Sequence, residues 1–134
     1  MSEKKLPIGY YLKKVDNLIS DGINRIHMEA GLTRTDWQIL NSIIESENRN
    51  RELIANLLSE FETSENINNA ITRLINNDLL KEAGSITLTD AGNKVFKSCL
   101  EKQLLFRQKS MEGISDQEYL QLISTLEKII ENIK

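Results

Sequence analysis

The sequence predicts a mainly α-helical fold with a small β-wing, and three observations support this prediction. Apolar residues recur at spacings of three and four along most of the 134 residues, which indicates amphipathic helices. Two short segments flank Ala83-Gly84-Ser85, where glycine can supply the positive φ of a tight hairpin. Residues 51–92 therefore read as helix, turn, helix, hairpin and the start of another helix. That order predicts a winged helix-turn-helix, whose second helix commonly lies in a DNA major groove.

The first two helices are marked by apolar stripes. The first ends near Gly31, and the second follows Thr33, an N-cap residue with Asp36 three positions on as an acidic stand-in for the capping-box glutamate. The stripe of the first helix comprises Ile8, Leu12, Val15, Ile19, Ile23 and Ile26, and that of the second Trp37, Ile39, Leu40, Ile43 and Ile44.

The third and fourth helices form the predicted helix-turn-helix pair. The third covers residues 52–60 and ends near Phe61, and the fourth begins at Thr63 or Ser64. The fourth helix has one apolar face and one polar face rich in amides. Its apolar residues are Ile67, Ala70, Ile71, Leu74 and Ile75, and its outward residues are Glu65, Asn66, Asn68, Asn69, Thr72, Arg73 and Asn76. Segments 80–82 and 86–88 then form the wing.

Two longer helices complete a predicted set of six. Thr89 caps a fifth helix that runs to about Met111, and Gly113 follows it as a breaker. Ser115 and Glu118 form a full capping box for the sixth helix, whose near-heptad apolar spacing indicates a seam between helices.

Composition and motifs exclude several classes of protein. No apolar run approaches the roughly 20 residues that span a membrane, and no secretory leader is recognisable, so we expect a cytoplasmic protein. The single cysteine, Cys99, and single histidine, His27, predict no internal disulfide and no metal site. Without a Gly-rich phosphate loop or a convincing Ser/His/Asp set, the sequence favours a non-enzyme that needs no cofactor.

Five segments, taken together and in order, resemble the MarR family of winged-helix repressors. They are LTRTDWQIL (32–40), IANLL (54–58), ITRLINNDLL (71–80), LTDAG (88–92) and GISDQEYLQLISTLEKIIENI (113–133). The resemblance implies one domain over residues 1–134, with a reading head at 33–92 and dimerisation helices at 1–31 and 93–134. It also implies a homodimer that binds double-stranded DNA at a pseudo-palindromic operator and represses transcription, often until a small ligand or an oxidant relieves it.

The resemblance places the recognition helix at residues 64–76. Asparagine can bond adenine bidentately, arginine can bond guanine or a phosphate, and a serine beside the helix N-terminal amides can bind phosphate. The candidate contacts in the recognition helix are Ser64, Asn66, Asn68, Asn69 and Arg73, and the candidate phosphate contacts around it are Arg49, Arg51 and Lys81.

Several features depart from the family pattern. The wing lacks the family's long loop and its Asp-x-Arg signature, which removes the expected minor-groove arginine. Asp78 stands where the family usually places a glycine, and residues 49–82 hold four basic against six acidic side chains. An acidic head disfavours DNA binding, because it repels the phosphate backbone. One alternative is therefore a winged-helix protein-interaction module with weak or lost DNA binding.

Other side chains leave two interpretations open. The asparagines of the fourth helix can form a solvated face without any reading role, although repeated use of this poor helix former favours DNA contact. Tyr10, Tyr11 and Trp37 can line a pocket for a small aromatic effector or can serve as core and interface aromatics. Cys99 lies on an apolar stripe, which favours a small buried hydrophobe over a redox switch. We expect His27 to be a structural or interface residue.

Overall fold

The computed structural model describes residues 5–46 and 49–134, and the mainly α-helical fold with a two-stranded wing is confirmed there. The helices are α1 (Ile8–Glu29), α2 (Arg34–Glu45), α3 (Arg51–Leu57), α4 (Ser64–Asn76), α5 (Asp90–Ser110) and α6 (Asp116–Ile133), and the strands are β1 (Leu80–Ala83) and β2 (Ser85–Leu88). Within these ranges no helix has both the length and the apolar character needed to cross a membrane.

The chain divides into two compact units, Met1–Gln103 and Leu104–Lys134, with the boundary inside α5. The first unit contains α1 to α4, the wing and most of α5. The second contains the end of α5 and all of α6, a helix with no buried residue of its own. The single domain expected from the sequence stays a prediction.

The helix starts follow the predicted caps. Thr33 and Asp36 form a reciprocal capping box at α2, in which each side chain accepts the other's backbone N–H at 3.0 Å. Ser115 and Glu118 do the same at α6, with distances of 3.1 and 3.0 Å. Local side-chain chemistry thus sets where these helices begin.

The third helix is shorter than the sequence indicated. It begins at Arg51, where the Asn50 side chain accepts the Leu53 N–H at 2.8 Å, and it ends at Leu57 rather than near Phe61. Residues 58–61 form turns instead, and the buried Leu58 lies at the C-cap of the helix. Leu58 packs into the core from a turn, at the same spacing as the apolar residues of the helix. The apolar pattern in the sequence therefore continues beyond the end of the helix.

One hydrophobic core joins α2, α3, α4 and the wing. Its most buried side chains, each at most 2% exposed, are Ile39, Leu40, Ile54, Ile67, Ile71, Leu74, Leu80 and Ile86. Burying one such side chain is worth about 1.5–3 kcal/mol, so α4 is held to the head mainly by its apolar face. The opposite face of α4 is left to solvent.

The end of α4 has a Schellman motif built on a non-glycine residue. Asp78 adopts a left-handed φ of 61°, as expected for a residue in the family's glycine position. The Leu79 N–H donates to the Leu74 carbonyl at 2.9 Å, and the Asp78 N–H donates to the Ile75 carbonyl at 3.0 Å. Aspartate therefore ends the helix at the position where the family usually has glycine.

The wing is a minimal antiparallel hairpin. The strands pair from Leu80 opposite Leu88 to Ala83 opposite Ser85, so Gly84 alone forms the tip, with φ +81°. Each strand is longer than predicted by one residue taken from the turn. The wing is thus as short as the sequence indicated.

Candidate nucleic-acid interface

The outward face of α4 is the candidate reading surface. Thr63 caps the helix by accepting the Asn66 N–H at 3.2 Å, and Ile67, Ala70, Ile71 and Leu74 fix its inner face in the core. The outward residues are exposed, apart from the half-buried Asn68: Ser64, Glu65, Asn66, Asn68, Asn69, Thr72, Arg73 and Asn76. A continuous polar strip therefore runs along the second helix of the helix-turn-helix.

Arg51 joins α3, α4 and the wing. Its Nε donates to both carboxylate oxygens of Glu82, at 3.0 and 3.3 Å. Its Nη1 donates to the Asn68 carbonyl and to the Thr72 hydroxyl, each at 3.1 Å. This predicted phosphate contact lies beside the reading face, but its charge is paired with a carboxylate.

Arg73 is also paired. Its Nη2 donates to Oδ1 of Asp36, a carboxylate only 2% exposed, while the arginine side chain remains 48% exposed. The pair links the last turn of α4 to the first turn of α2. Arg51 and Arg73 are therefore each neutralised by a carboxylate of the protein.

A third carboxylate covers the start of α4. One oxygen of Glu62 accepts the Thr63 N–H at 2.9 Å and the Asn66 side-chain amide at 2.8 Å. These hydrogen bonds, first that from Asn66 and then that from Thr63, lower the pKa of Glu62 below its ordinary value. The carboxylate therefore lies where a phosphate was predicted to bind near Ser64.

The remaining predicted contacts differ in how free they are. The Asn68 amide donates to the Ser64 carbonyl at 3.0 Å, and Arg49 Nε donates to the Ser42 carbonyl at 3.3 Å. The side chains of Ser64, Asn69 and Lys81 form no hydrogen bond with the described part of the chain, and all three are exposed. Of the three asparagines predicted as contacts, Asn69 is thus the one whose exposed side chain makes no hydrogen bond within the described residues.

His27 and Trp37 lie at the junction between α1, α2 and α5. His27 is buried, lies 2.9 Å from the Gln103 amide and stacks on Trp37, which itself stacks on Phe96 at 4.6 Å. Nδ1 of His27 has no hydrogen-bond partner within residues 5–46 and 49–134. Trp37 is therefore a packing residue here, whereas Tyr10 and Tyr11 are exposed and contact each other.

Cys99 is buried in the core. Burial raises the pKa of its thiol, and the nearby Lys102 charge lowers the pKa by less. A protonated, buried thiol reacts slowly with oxidants. The described residues also hold no group of three acidic, His or Cys side chains placed to bind a metal ion.

Sequence reasoning missed the pairing of three carboxylates, Glu62, Asp36 and Glu82, with residues of this surface. Glu62 precedes the N-cap Thr63, and an acidic residue at a helix start is a local signal that could have identified it. Asp36 was recognised only as a cap, and Glu82 only as one charge in a count. Their arginine partners lie 37 and 31 residues away in sequence, beyond the reach of any local pattern.

Comparison with known proteins places this geometry in a fold. No protein-family model and no curated protein matches the sequence. Solved structures match over nearly the whole chain. MepR, a transcription regulator of the Staphylococcus aureus multidrug efflux pump MepA, has a TM-score of 0.80 at 16% identity, covering 96% of this chain and 100% of MepR. YusO from Bacillus subtilis has a TM-score of 0.77 at 17% identity and covers 92% of each chain.

The Mycobacterium tuberculosis MarR family protein Rv2887, solved in complex with DNA, has a TM-score of 0.73 at 18% identity, covering 93% of this chain and 98% of that one. The chain has the MarR-family fold. At these identities the likeness concerns architecture. In this MarR-type fold α3 and α4 are the helix-turn-helix, and Gly84 marks the tip of the wing.

Proposed function

We propose that this chain is a MarR-family transcriptional regulator: a cytoplasmic homodimer, without enzymatic activity, that represses by occupying a pseudo-palindromic operator. The observation that carries the proposal is the exposed amide-rich face of α4 on a complete winged-helix head. Two solved structures of this fold are described as bound to DNA or to an oligodeoxyribonucleotide, Rv2887 and a MepR mutant.

The reading would depend on amides more than on charge. Asparagine offers a donor and an acceptor that match the major-groove edge of adenine. Asn69 is the central candidate because its side chain is exposed and has no partner within the described residues. Arg49 and Lys81, which pair with no carboxylate in the described chain, are the phosphate contacts of this proposal, and Ser64, Asn66, Asn68, Arg51 and Arg73 complete its candidate site.

Dimerisation is supported by apolar surface on two helices. On α1, Ile8, Val15 and Leu18 are 54–57% exposed, and on α6 Ile133 is 80% exposed. A protein partner commonly covers exposed apolar surface of this kind, so these side chains support the proposed dimer. Residues 1–31 and 93–134 are accordingly the proposed dimerisation segments of one domain, 1–134, and residues 33–92 the head. The proposal allows a small aromatic effector and assigns it no site.

The proposal is tested by selection from a random double-stranded DNA pool with the full chain, followed by titration. We expect enrichment of an inverted repeat. Asn69→Ala should then weaken binding by about 1–3 kcal/mol through one base pair in each half-site. Asn56→Ala, which removes an exposed asparagine from α3 outside the candidate site, is the matched control and should leave binding unchanged.

A second candidate function follows from exposed apolar residues on α3 and in the turn after it. Leu53 and Leu57 on α3 and Phe61 in the turn are 45, 47 and 62% exposed, and Glu52 and Glu60 directly precede Leu53 and Phe61 in sequence. That chemistry suits a protein partner that presents apolar anchors beside basic residues. The candidate would be favoured if a basic amphipathic peptide bound the wild type but not a Leu53→Gln/Leu57→Gln variant, while DNA selection enriched nothing.

A further inference from the structure

We infer that Asp36 is a positioning residue that commits Arg73 to reading a base edge instead of neutralising a backbone phosphate. The inference rests on the proposed function. Arginine chemistry allows Arg73 to bind either guanine or a phosphate, and the inference selects guanine.

The geometry of Asp36 leaves it little freedom. Its Oδ2 accepts the Thr33 N–H at 3.0 Å as half of the α2 capping box, and its Oδ1 accepts from Nη2 of Arg73. The carboxylate is 2% exposed, so both oxygens are committed within the protein. The anchor for Arg73 is therefore fixed by the start of a helix that the core itself holds in place.

The positive charge of Arg73 is already neutralised by the Asp36 carboxylate. Phosphate contacts gain affinity because an unpaired cation releases counterions from DNA, which makes binding salt-dependent. An arginine already matched by a buried carboxylate adds little net positive charge at the DNA surface. It is thus poorly suited to be a phosphate contact.

Its remaining donors suit a base. Guanidinium has five N–H groups in one plane, and guanine O6 and N7 accept two of them side by side. One Nη2 N–H is directed at Asp36, and the side chain, still 48% exposed, lies on the outward face of α4. Because Asp36 holds one N–H of the guanidinium plane, the directions of the remaining N–H groups are fixed. This favours bidentate hydrogen bonding to two neutral acceptors on a base.

The test compares variants for base preference and for salt dependence on the selected operator and its single-base variants. Arg73→Gln should flatten preference at one base pair per half-site, a loss of roughly 5- to 150-fold in discrimination. With Asp36 also neutralised, in Asp36→Asn/Arg73→Gln, the slope of log Kd against log salt should remain that of the wild type. Asp36→Asn should reduce the preference at the same base pair. It should also steepen the slope of log Kd against log salt by about one, because Arg73 then carries an unpaired charge.

Arg49→Gln is the matched control. Arg49 has no carboxylate partner in the described chain, so its loss should weaken binding evenly across sequences and reduce the slope by about one. If Arg73→Gln behaves like Arg49→Gln, or changes neither quantity, the inference is overturned. If the wild type shows no sequence preference at all, the proposed function itself fails, which is a different result.

Folding of the variants is followed by circular dichroism and urea unfolding. Arg73→Gln leaves the buried carboxylate of Asp36 without its partner and can unfold the head. The double variant Asp36→Asn/Arg73→Gln removes both charges and should fold. It should lose preference at the same base pair as Arg73→Gln, and retained preference there would contradict the inference.

Discussion

Arg51 at the start of α3 and Glu82 in β1 form an ion pair with an Nε to Oε2 distance of 3.0 Å, which ties the helix-turn-helix to the wing. Both side chains are partly exposed, at 30 and 40%, so the pair contributes at most about 1 kcal/mol to stability. Its larger effect is electrostatic. A carboxylate cancels one of the few positive charges beside α4.

Removing that carboxylate should strengthen DNA binding. Glu82→Gln leaves Arg51 unpaired, so we expect tighter binding at low salt and a slope of log Kd against log salt that is steeper by about one. Titration at two salt concentrations measures both. Glu127→Gln makes the same charge change on α6 as a control, and an equal effect from that variant would mean that only net charge matters.

Glu62 should act as an anionic competitor for the start of α4. It occupies the Thr63 N–H and the Asn66 amide, so Glu62→Ala should raise DNA affinity by freeing both donors. Because its pKa is lowered, Glu62 stays ionised through neutral pH, and the gain should be constant from pH 6 to 8. Glu60→Ala, at an exposed position, is the neighbouring control, and an identical gain there would refute a specific role for Glu62.

Gly92 should be required by packing of α5. A Cβ at this position would overlap the Leu79 carbonyl oxygen and lie 3.0 Å from its carbon, so Gly92→Ala should cost about 1–3 kcal/mol or more. Gly9→Ala places the same methyl in open space on α1 and should be neutral or stabilising by about 0.5 kcal/mol. Urea unfolding compares them, and equal stability of the two variants would contradict this packing.

His27 should make stability depend on pH. Burial lowers the pKa of His27, so the folded state binds its proton less readily than the unfolded state does. The free energy of unfolding should be highest above the ordinary histidine pKa of about 6.5 and should fall as the pH drops towards the lowered value.

The chain has no other histidine, which makes the control simple. His27→Gln should unfold with a free energy that varies much less between pH 7.5 and 5 than that of the wild type. If both proteins show the same pH dependence over this interval, burial of His27 is not its cause.

The features that could be predicted from sequence are those decided by neighbours in the chain. The capping boxes at Thr33 and Ser115 depend on residues three positions apart, and the short wing depends on the single glycine at its turn. The end of α3 could not be predicted, because Leu58 keeps helical spacing while it lies in a turn.

The electrostatics of the reading face depend on packing and were beyond sequence reasoning. Arg73 was identified as a contact, but its partner Asp36 is brought to it only when α2 and α4 pack together. The same holds for Arg51 and Glu82. A count of charges predicted an acidic head, whereas the structure identifies which positive charges are neutralised and which, at Arg49 and Lys81, have no carboxylate partner in the described residues.

The most direct test of sequence-specific reading is a competition titration of the wild-type chain. The selected operator and a scrambled duplex of the same length and composition compete for the protein at physiological salt. We predict that the operator binds about a thousandfold tighter or more, the margin typical of specific readers. Equal affinity for the two duplexes would contradict the account.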